Sequence, residues 1–230
     1  MYYDINRTEM ENIIEKKLKG TFLYTGIAVF LTFITSFFMI TNDGFRGLGY
    51  SLFPFAIAIQ IIVPIVMGLM VYKAKSTTLL IGLFVYSVAT GVTLSAIAVI
   101  YTLNSILSVL IGTLVLFIVL ASYGYITRSN LMKYSSLLFV GLLSIIIVSI
   151  INIFLKSSSV DFMLSILGVA IFVIYVAYDT QRIKQNIIMY ANQGDIDILD
   201  RVEIVGAFSL YLDFINLFIY LIRLFGKRRD

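Results

Sequence analysis

Two aspartates stand inside strongly apolar segments of this 230-residue chain. Asp179 lies in the stretch IYVAYDTQRIK, and Asp213 lies in the stretch SLYLDFINLF. Placing one aspartate at the centre of a membrane helix costs about 2.5–3.5 kcal/mol, so two aspartates at such positions are predicted to have a functional role. Carboxylates bind protons and hard cations such as Ca²⁺, and these two chemistries are the candidates for the pair.

The segments that hold these aspartates are typical of a membrane protein. Hydrophobic residues make up 60% of the chain and charged residues only 13%, against roughly 25% charged residues in soluble domains. The composition predicts an all-α polytopic membrane protein. The chain is predicted to form a single seven-helix domain over residues 1–230, in which residues 1–20 form a short cytoplasmic helix. Seven stretches are long enough to cross about 30 Å of hydrocarbon, and they lie near 21–40, 51–72, 79–101, 105–126, 135–155, 161–181 and 203–224. Residues 182–202 are polar and are predicted to form the one long loop.

The distribution of lysine and arginine predicts the orientation. With the N-terminus in the cytoplasm, most basic residues between the spans lie on the inner side, and only Arg46 and Lys156 lie in outer loops. The C-terminal stretch RLFGKRRD is the exception, because seven full spans place it outside. Six spans and a final re-entrant hairpin would place it inside, so this alternative stays open.

Other chemistries are excluded by composition. The chain has no cysteine and no histidine, which excludes disulfides, thiol chemistry and any nucleophile–histidine pair. The net charge of +4 is typical of the loop bias of membrane proteins and requires no nucleic-acid partner.

The last apolar segment carries a polar stripe. Its members follow one another at intervals of 4, 3, 4 and 3 residues, the spacing of one face of an α-helix. This face is predicted to point toward protein or water rather than toward lipid. The stripe consists of Ser209, Asp213, Asn216, Tyr220 and Arg223.

Asp179 and Asp213 are predicted to approach each other, because they lie on consecutive spans that are joined on the inner side. Two carboxylates in low-dielectric surroundings do not both ionise easily and are expected to share a proton. Losing that proton would create repulsion or an oxygen site for a transient Ca²⁺ ion. Arg182 is a candidate counter-charge, and Ser209 and Asn216 either line a pathway or join helices through hydrogen bonds. The pattern indicates a pH-controlled cation gate.

The stretches AYDTQRIK (177–184) and AFSLYLDFINLFIYLIRLFG (207–226) resemble the signature of the Bax inhibitor-1 family, and the seven-span layout is similar over nearly the whole chain. The resemblance implies six helices wrapped around a central seventh. It also implies a pH-sensitive calcium leak channel of the bacterial inner membrane, with Asp179 and Asp213 as its paired aspartates. The family's basic latch at the inner end of the second span would be Lys73, with Lys75 as the alternative.

One position departs from the family pattern that the resemblance implies. Some relatives carry a further acid in the second span, and its place falls near Ile62 here, with Gln60 as the nearest polar group.

The expected partners of the protein are the lipid bilayer, Ca²⁺ and protons. The protein is expected to be a monomer and to need no cofactor.

Two other functions fit parts of the sequence. Intramembrane aspartyl proteases also carry one aspartate in each of two adjacent spans, but they need Gly-x-Gly before the second, where this chain has LYL before Asp213. The sequence therefore predicts that the protein is not an enzyme. A non-conducting regulator, which would bind a membrane protease or another membrane partner through the charged helix over 1–20, is the second alternative.

Overall fold

Seven long α-helices make up almost all of the residues that the structure describes. The computed structural model describes residues 7–41, 43–71 and 73–229, and no strand occurs among them. All seven helices are long and apolar enough to cross a membrane, which confirms the prediction of an all-α protein with seven spans. A short 3₁₀ helix, Leu131–Tyr134, precedes the fifth. The helices are α1 Arg7–Thr41, α2 Asp43–Met70, α3 Ser76–Ile100, α4 Leu103–Ile126, α5 Ser135–Leu155, α6 Ser158–Asn192 and α7 Ile196–Phe225.

The helices extend beyond the apolar stretches, and the predicted long loop over 182–202 is wrong. Only residues 193–195 join α6 to α7, where Gly194 adopts the left-handed φ of 71° that glycine tolerates. Polar residues mark where a helix leaves the hydrocarbon, whereas the backbone can stay helical in water. α1 likewise continues from Arg7 into the first span without a break. The first six residues of the predicted helix over 1–20 lie outside the described residues.

The seventh helix is unbroken. α7 contains 30 residues, which gives a length of about 45 Å at 1.5 Å per residue. A re-entrant hairpin would need a break within this segment, so the structure favours a full crossing. The apolar part of α7 is also the most buried of the seven spans, because 61% of its residues are buried. The arrangement of six helices around a central seventh stays a prediction.

One compact unit contains α1, α2, α3 and the stretch Ile183–Tyr211. α1, α2 and α3 pack against one another. Thr32 of α1 joins two other helices, because its Oγ1 lies 2.9 Å from the carbonyl oxygen of Ser87 in α3 and 2.7 Å from the hydroxyl of Tyr211 in α7. All three polar atoms are buried, so this junction fixes α1 against α3 and α7.

The same unit holds a cluster of charges near the start of α1. Lys17 forms ion pairs with Asp200 and with Glu203, the latter at 2.7 Å from Nζ to Oε2. The Lys17 side chain is only 12% exposed, and Gly20 leaves the space that Glu203 occupies. The cluster therefore attaches α1 to the first turns of α7.

The second compact unit contains the stretch Tyr101–Arg182 and residues 212–229. Here α6 runs antiparallel to the C-terminal part of α7. The ring of Phe172 stacks on that of Tyr220 at 5.9 Å between centroids. Asp161 pairs with Arg223 at 3.3 Å. Gly168 makes room for Tyr220, since a Cβ there would lie 2.6 Å from its ring.

Two further contacts hold α6 in the second unit. A Cβ at Gly124 of α4 would lie 2.8 Å from the Cα of Ala177 and closer still to its carbonyl oxygen. The Gln181 side chain accepts a hydrogen bond from the backbone N–H of Leu131 at 2.8 Å and donates one to the carbonyl oxygen of Ser129 at 2.9 Å. These contacts fix α6 against α4 and the α4–α5 connection. The single domain over 1–230 stays a prediction.

Candidate functional site

Asp179 and Asp213 lie together in the second compact unit. Each residue is buried, with 4% of its surface exposed, and the two carboxyl groups are close enough to interact electrostatically. α6 supplies Asp179 and α7 supplies Asp213. The sequence singled out these two residues, and the structure brings them together from the two facing helices α6 and α7.

Arg182 supplies a positive charge beside the first aspartate. Its Nη2 lies 3.2 Å from both carboxylate oxygens of Asp179 and donates a hydrogen bond to Oδ2. A spacing of three residues places both side chains on one face of α6. The guanidinium also lies 5.6 Å from the centroid of the Tyr178 ring, and 40% of the Arg182 side chain is exposed. The Arg182 side chain therefore contacts Asp179 and also reaches the protein surface.

Lys73, the other predicted counter-charge, belongs to the other compact unit. It occupies the turn after α2, in the compact unit that does not contain Asp179, and its side chain is exposed. Lys75 lies two residues further on and is also exposed. Their role as a latch stays a prediction.

Each aspartate has one buried oxygen that accepts no hydrogen bond from the described residues. These atoms are Oδ1 of Asp179 and Oδ2 of Asp213. An ionised carboxylate can only accept hydrogen bonds, whereas a protonated one can also donate. Burying a charged group without compensating bonds costs several kcal/mol. Arg182 offsets part of this cost at Asp179, and a bound proton or cation would offset more of it.

The polar stripe of α7 is divided between the two units. Asn216 is half-buried, and its Nδ2 donates to the carbonyl oxygen of Leu212 within α7 at 2.8 Å. Ser209 is half-buried in the other unit. Tyr220 and Arg223 contact α6 instead. The pathway-lining roles of Ser209 and Asn216 stay predictions.

Sequence reasoning missed residues that position the aspartates. Tyr175 lies within electrostatic range of both carboxyl groups, and its ring meets that of Tyr178 edge-on at 6.1 Å between centroids. Gln181 could have been noticed as a polar residue beside Asp179 at the end of an apolar stretch. Gly124 had no such signal, because its close neighbour belongs to another helix.

The aspartate pair does not form a resident metal site with the described residues. No group of three or more acidic, histidine or cysteine side chains occurs among them, whereas Ca²⁺ takes roughly six to eight oxygen ligands. A guanidinium beside Asp179 also opposes tight binding of a cation. Two carboxylates alone suit an ion in transit, and their predicted role as transient Ca²⁺ ligands stays a prediction.

Known proteins are similar in sequence to this chain over most of its length. A family profile described as "Inhibitor of apoptosis-promoting Bax1" matches residues 14–230. The chain is 36% identical over 231 residues to an uncharacterized protein of Borreliella burgdorferi, with 99% of both chains covered. It is 38% identical over 170 residues to the inner membrane protein YbhL of Escherichia coli, covering 74% of this chain and 72% of YbhL. With its seven apolar helices and a family match from residue 14 to the C-terminus, this chain belongs to the Bax inhibitor-1 family of integral membrane proteins.

Proposed function

We propose that this protein is a pH-sensitive cation leak channel of the bacterial inner membrane, with Ca²⁺ as the permeant ion. Asp179 and Asp213 would form its proton-binding gate. The observation that carries the proposal is the pair of buried carboxylates on neighbouring helices, each with an oxygen that accepts no hydrogen bond from the described residues. Membership of an integral membrane family and the name of the Escherichia coli relative support the location.

The charges at the site explain why it would respond to protons. With both carboxylates ionised, one guanidinium faces two negative charges, and the cluster of Arg182, Asp179 and Asp213 carries a net negative charge. With one proton bound, the cluster of Arg182, Asp179 and Asp213 is neutral. A buried net charge is costly, so the neutral form stabilises the arrangement of α6 and α7 that the structure shows.

Deprotonation would open the gate at one end of the helix pair. The uncompensated negative charge repels the facing carboxylate and attracts a cation, whose bound water the carboxylate oxygens can replace. Toward the other end of the pair, the Phe172–Tyr220 stack and the Asp161–Arg223 ion pair hold α6 against α7. We therefore expect the helices to separate mainly near Asp179 and Asp213, on the side where basic residues predict the cytoplasm.

Calcium flux into liposomes tests this proposal. Purified protein would be reconstituted around a Ca²⁺ dye, and influx would be followed from mildly acidic to mildly alkaline pH. Native flux should depend on pH, and Asp179→Asn or Asp213→Asn should flatten that dependence. Asp161→Asn is the matched control, because Asp161 is a half-exposed α6 acid that pairs with Arg223 away from the site. If neither the native protein nor any variant conducts Ca²⁺ at any pH, the channel proposal is wrong.

A non-conducting regulator is the second candidate, and the start of α1 favours it. Glu15 and Lys19 are well exposed, and Lys16 is exposed beside them, so this surface could bind a membrane protease. Deleting the segment would also remove the buried Lys17 ion pairs, so Lys16→Glu with Lys19→Glu is the cleaner test. If this variant loses the cellular phenotype while flux persists, the regulator role is the principal one.

Enzymatic activity is the least favoured function. The Bax inhibitor-1 family is not known as a family of enzymes, and the bulky residues LYL before Asp213 do not suit an intramembrane aspartyl protease. The absence of a cofactor and the monomeric state stay predictions.

A further inference from the structure

A cavity of about 580 Å³ lies between the start of α4 and the end of α7. All of its lining residues belong to the second compact unit. None of them belongs to the aspartate cluster, so the proposed gate does not account for this cavity. Its lining changes in character along α4, from polar to apolar.

The polar end is built from the first two turns of α4 and the C-terminal tail. Thr102, Asn104, Ser105, Ser108 and Lys227 line it. The tail is held in place, because the backbone N–H of Lys227 donates to Ser105 Oγ at 2.8 Å and that of Thr102 donates to the Lys227 carbonyl oxygen at 3.0 Å. The Lys227 side chain is exposed and forms no ion pair with the described residues, and no acid lines the cavity. This end therefore offers hydroxyl and amide groups together with one cationic side chain.

The apolar end continues deeper along both helices. It is lined by Val109, Gly112 and Leu116 of α4 and by Leu221 and Phe225 of α7. From residue 102 to residue 116, α4 rises about 21 Å, compared with about 15 Å for the hydrocarbon of one leaflet. The cavity thus changes from polar to apolar over the depth at which a lipid changes from headgroup to acyl chain.

We propose that this cavity binds an anionic phospholipid of the surrounding bilayer. The headgroup phosphate lies at Ser105, Ser108 and Lys227, and one acyl chain lies along Val109 and Leu221. An occupant must pair a charged end with an apolar tail inside a single leaflet, and lipid is the abundant molecule that does so. The lysine, with Arg228 and Arg229 directly after it, selects an anionic headgroup over a zwitterionic one, because basic residues near a membrane surface attract acidic lipids.

A single tryptophan can report on the occupant, because the chain has none of its own. Phe225→Trp places an indole at the cavity with little change in shape. The full-length variant would be reconstituted in phosphatidylcholine with a small fraction of phosphatidylglycerol, and either lipid would carry brominated acyl chains that quench tryptophan. Brominated phosphatidylglycerol should quench Trp more strongly than brominated phosphatidylcholine at equal mole fraction. Phe55→Trp on lipid-exposed α2, where 67% of the residue is exposed, is the control and should show no preference.

Two variants in the Phe225→Trp background separate a built site from general attraction to the tail. Lys227→Gln should lower the relative association constant of phosphatidylglycerol about fivefold, the factor expected for one basic residue near an anionic surface. Gly112→Phe should abolish the preference by filling the cavity, and it should fold because a Cβ at Gly112 meets no atom within 4 Å. Gly68→Phe is the matched control, since Gly68 is equally open and lies on α2.

The outcomes decide the proposal. A preference for phosphatidylglycerol that decreases in Lys227→Gln, is abolished in Gly112→Phe and is kept in Gly68→Phe supports a specific lipid site. Equal quenching by the two lipids overturns it. A preference that survives Gly112→Phe shows attraction to the basic tail alone and also overturns it, as does full competition by millimolar inorganic phosphate, which would indicate a free-anion site.

Discussion

The two aspartates should respond differently when their charges are removed, because the Arg182 guanidinium donates a hydrogen bond to the Asp179 carboxylate. Asp179→Asn removes the carboxylate that lies 3.2 Å from the guanidinium. Asp213→Asn leaves that ion pair intact and removes the second negative charge. We therefore expect Asp179→Asn to destabilise the fold and Asp213→Asn to be tolerated.

The size of this difference follows from the burial of the pair. Removing one partner of a fully buried ion pair costs about 3–5 kcal/mol, whereas exposed pairs contribute at most about 1 kcal/mol. Asp179 is buried but the Arg182 side chain is 40% exposed, so an intermediate loss of about 2 kcal/mol is expected for Asp179→Asn. Asp213→Asn should change the free energy of unfolding by less than about 1 kcal/mol at acidic pH, where the native cluster is neutral. As pH rises, the native cluster becomes negatively charged and the variant does not, so the variant gains stability relative to the native protein.

Thermal unfolding of the detergent-solubilised protein measures both effects. Midpoints would be compared for the native protein, the two variants and Asp161→Asn at mildly acidic and mildly alkaline pH. Asp161→Asn should show the same pH response as the native protein. Equal destabilisation by the two substitutions, or a larger loss for Asp213→Asn, would refute the assignment of Arg182 to Asp179. A native midpoint that does not change with pH would refute proton sharing.

Three further substitutions test contacts that hold the helices together within each compact unit. Lys17→Met should lower the free energy of unfolding by about 1 kcal/mol, because two carboxylates lose a partly buried counter-charge and one of them, Asp200, is 45% exposed; a loss that is equal at low and high salt would argue against an electrostatic cause. Tyr211→Phe should cost about 1 kcal/mol for the hydrogen bond with Thr32, measured by thermal unfolding, and an unchanged midpoint would contradict that contact. Gly124→Ala should cost about 1–3 kcal/mol by forcing α4 away from Ala177 and should alter the pH dependence of Ca²⁺ flux. Gly112→Ala is its control, and equal effects of the two alanines would show that the close approach is unimportant.

The fold class and the candidate aspartates could be predicted from the sequence. A single apolar stretch that crosses a membrane must satisfy its own backbone hydrogen bonds, and an α-helix does so. The seven apolar stretches of membrane-spanning length therefore predicted seven helical spans. Asp179 and Asp213 stood out because a carboxylate inside such a stretch is costly. The regular spacing from Asp213 to Arg223 correctly placed Tyr220 and Arg223 on one face, which packs against α6.

The ends of the helices could not be predicted from hydropathy. The stretch from Arg182 to Asn192 is polar, yet it continues α6, because water tolerates a helix whose side chains are charged. The same reasoning applies to α1, whose charged first turns join the apolar span without a break. Hydropathy reports the surroundings of a side chain, and the hydrogen bonds of the backbone decide where the helix stops.

The sequence by itself determined that this is a seven-helix membrane protein of the Bax inhibitor-1 family with an aspartate inside each of its last two apolar segments. Only the tertiary structure decided that Gln181 attaches α6 to the α4–α5 connection and that Gly124 lets α4 approach Ala177. The physical reason is that hydrophobicity and helical periodicity are local properties, which a short window of residues reveals. Contacts between helices depend on how distant segments pack, and no local pattern records which partner each side chain meets.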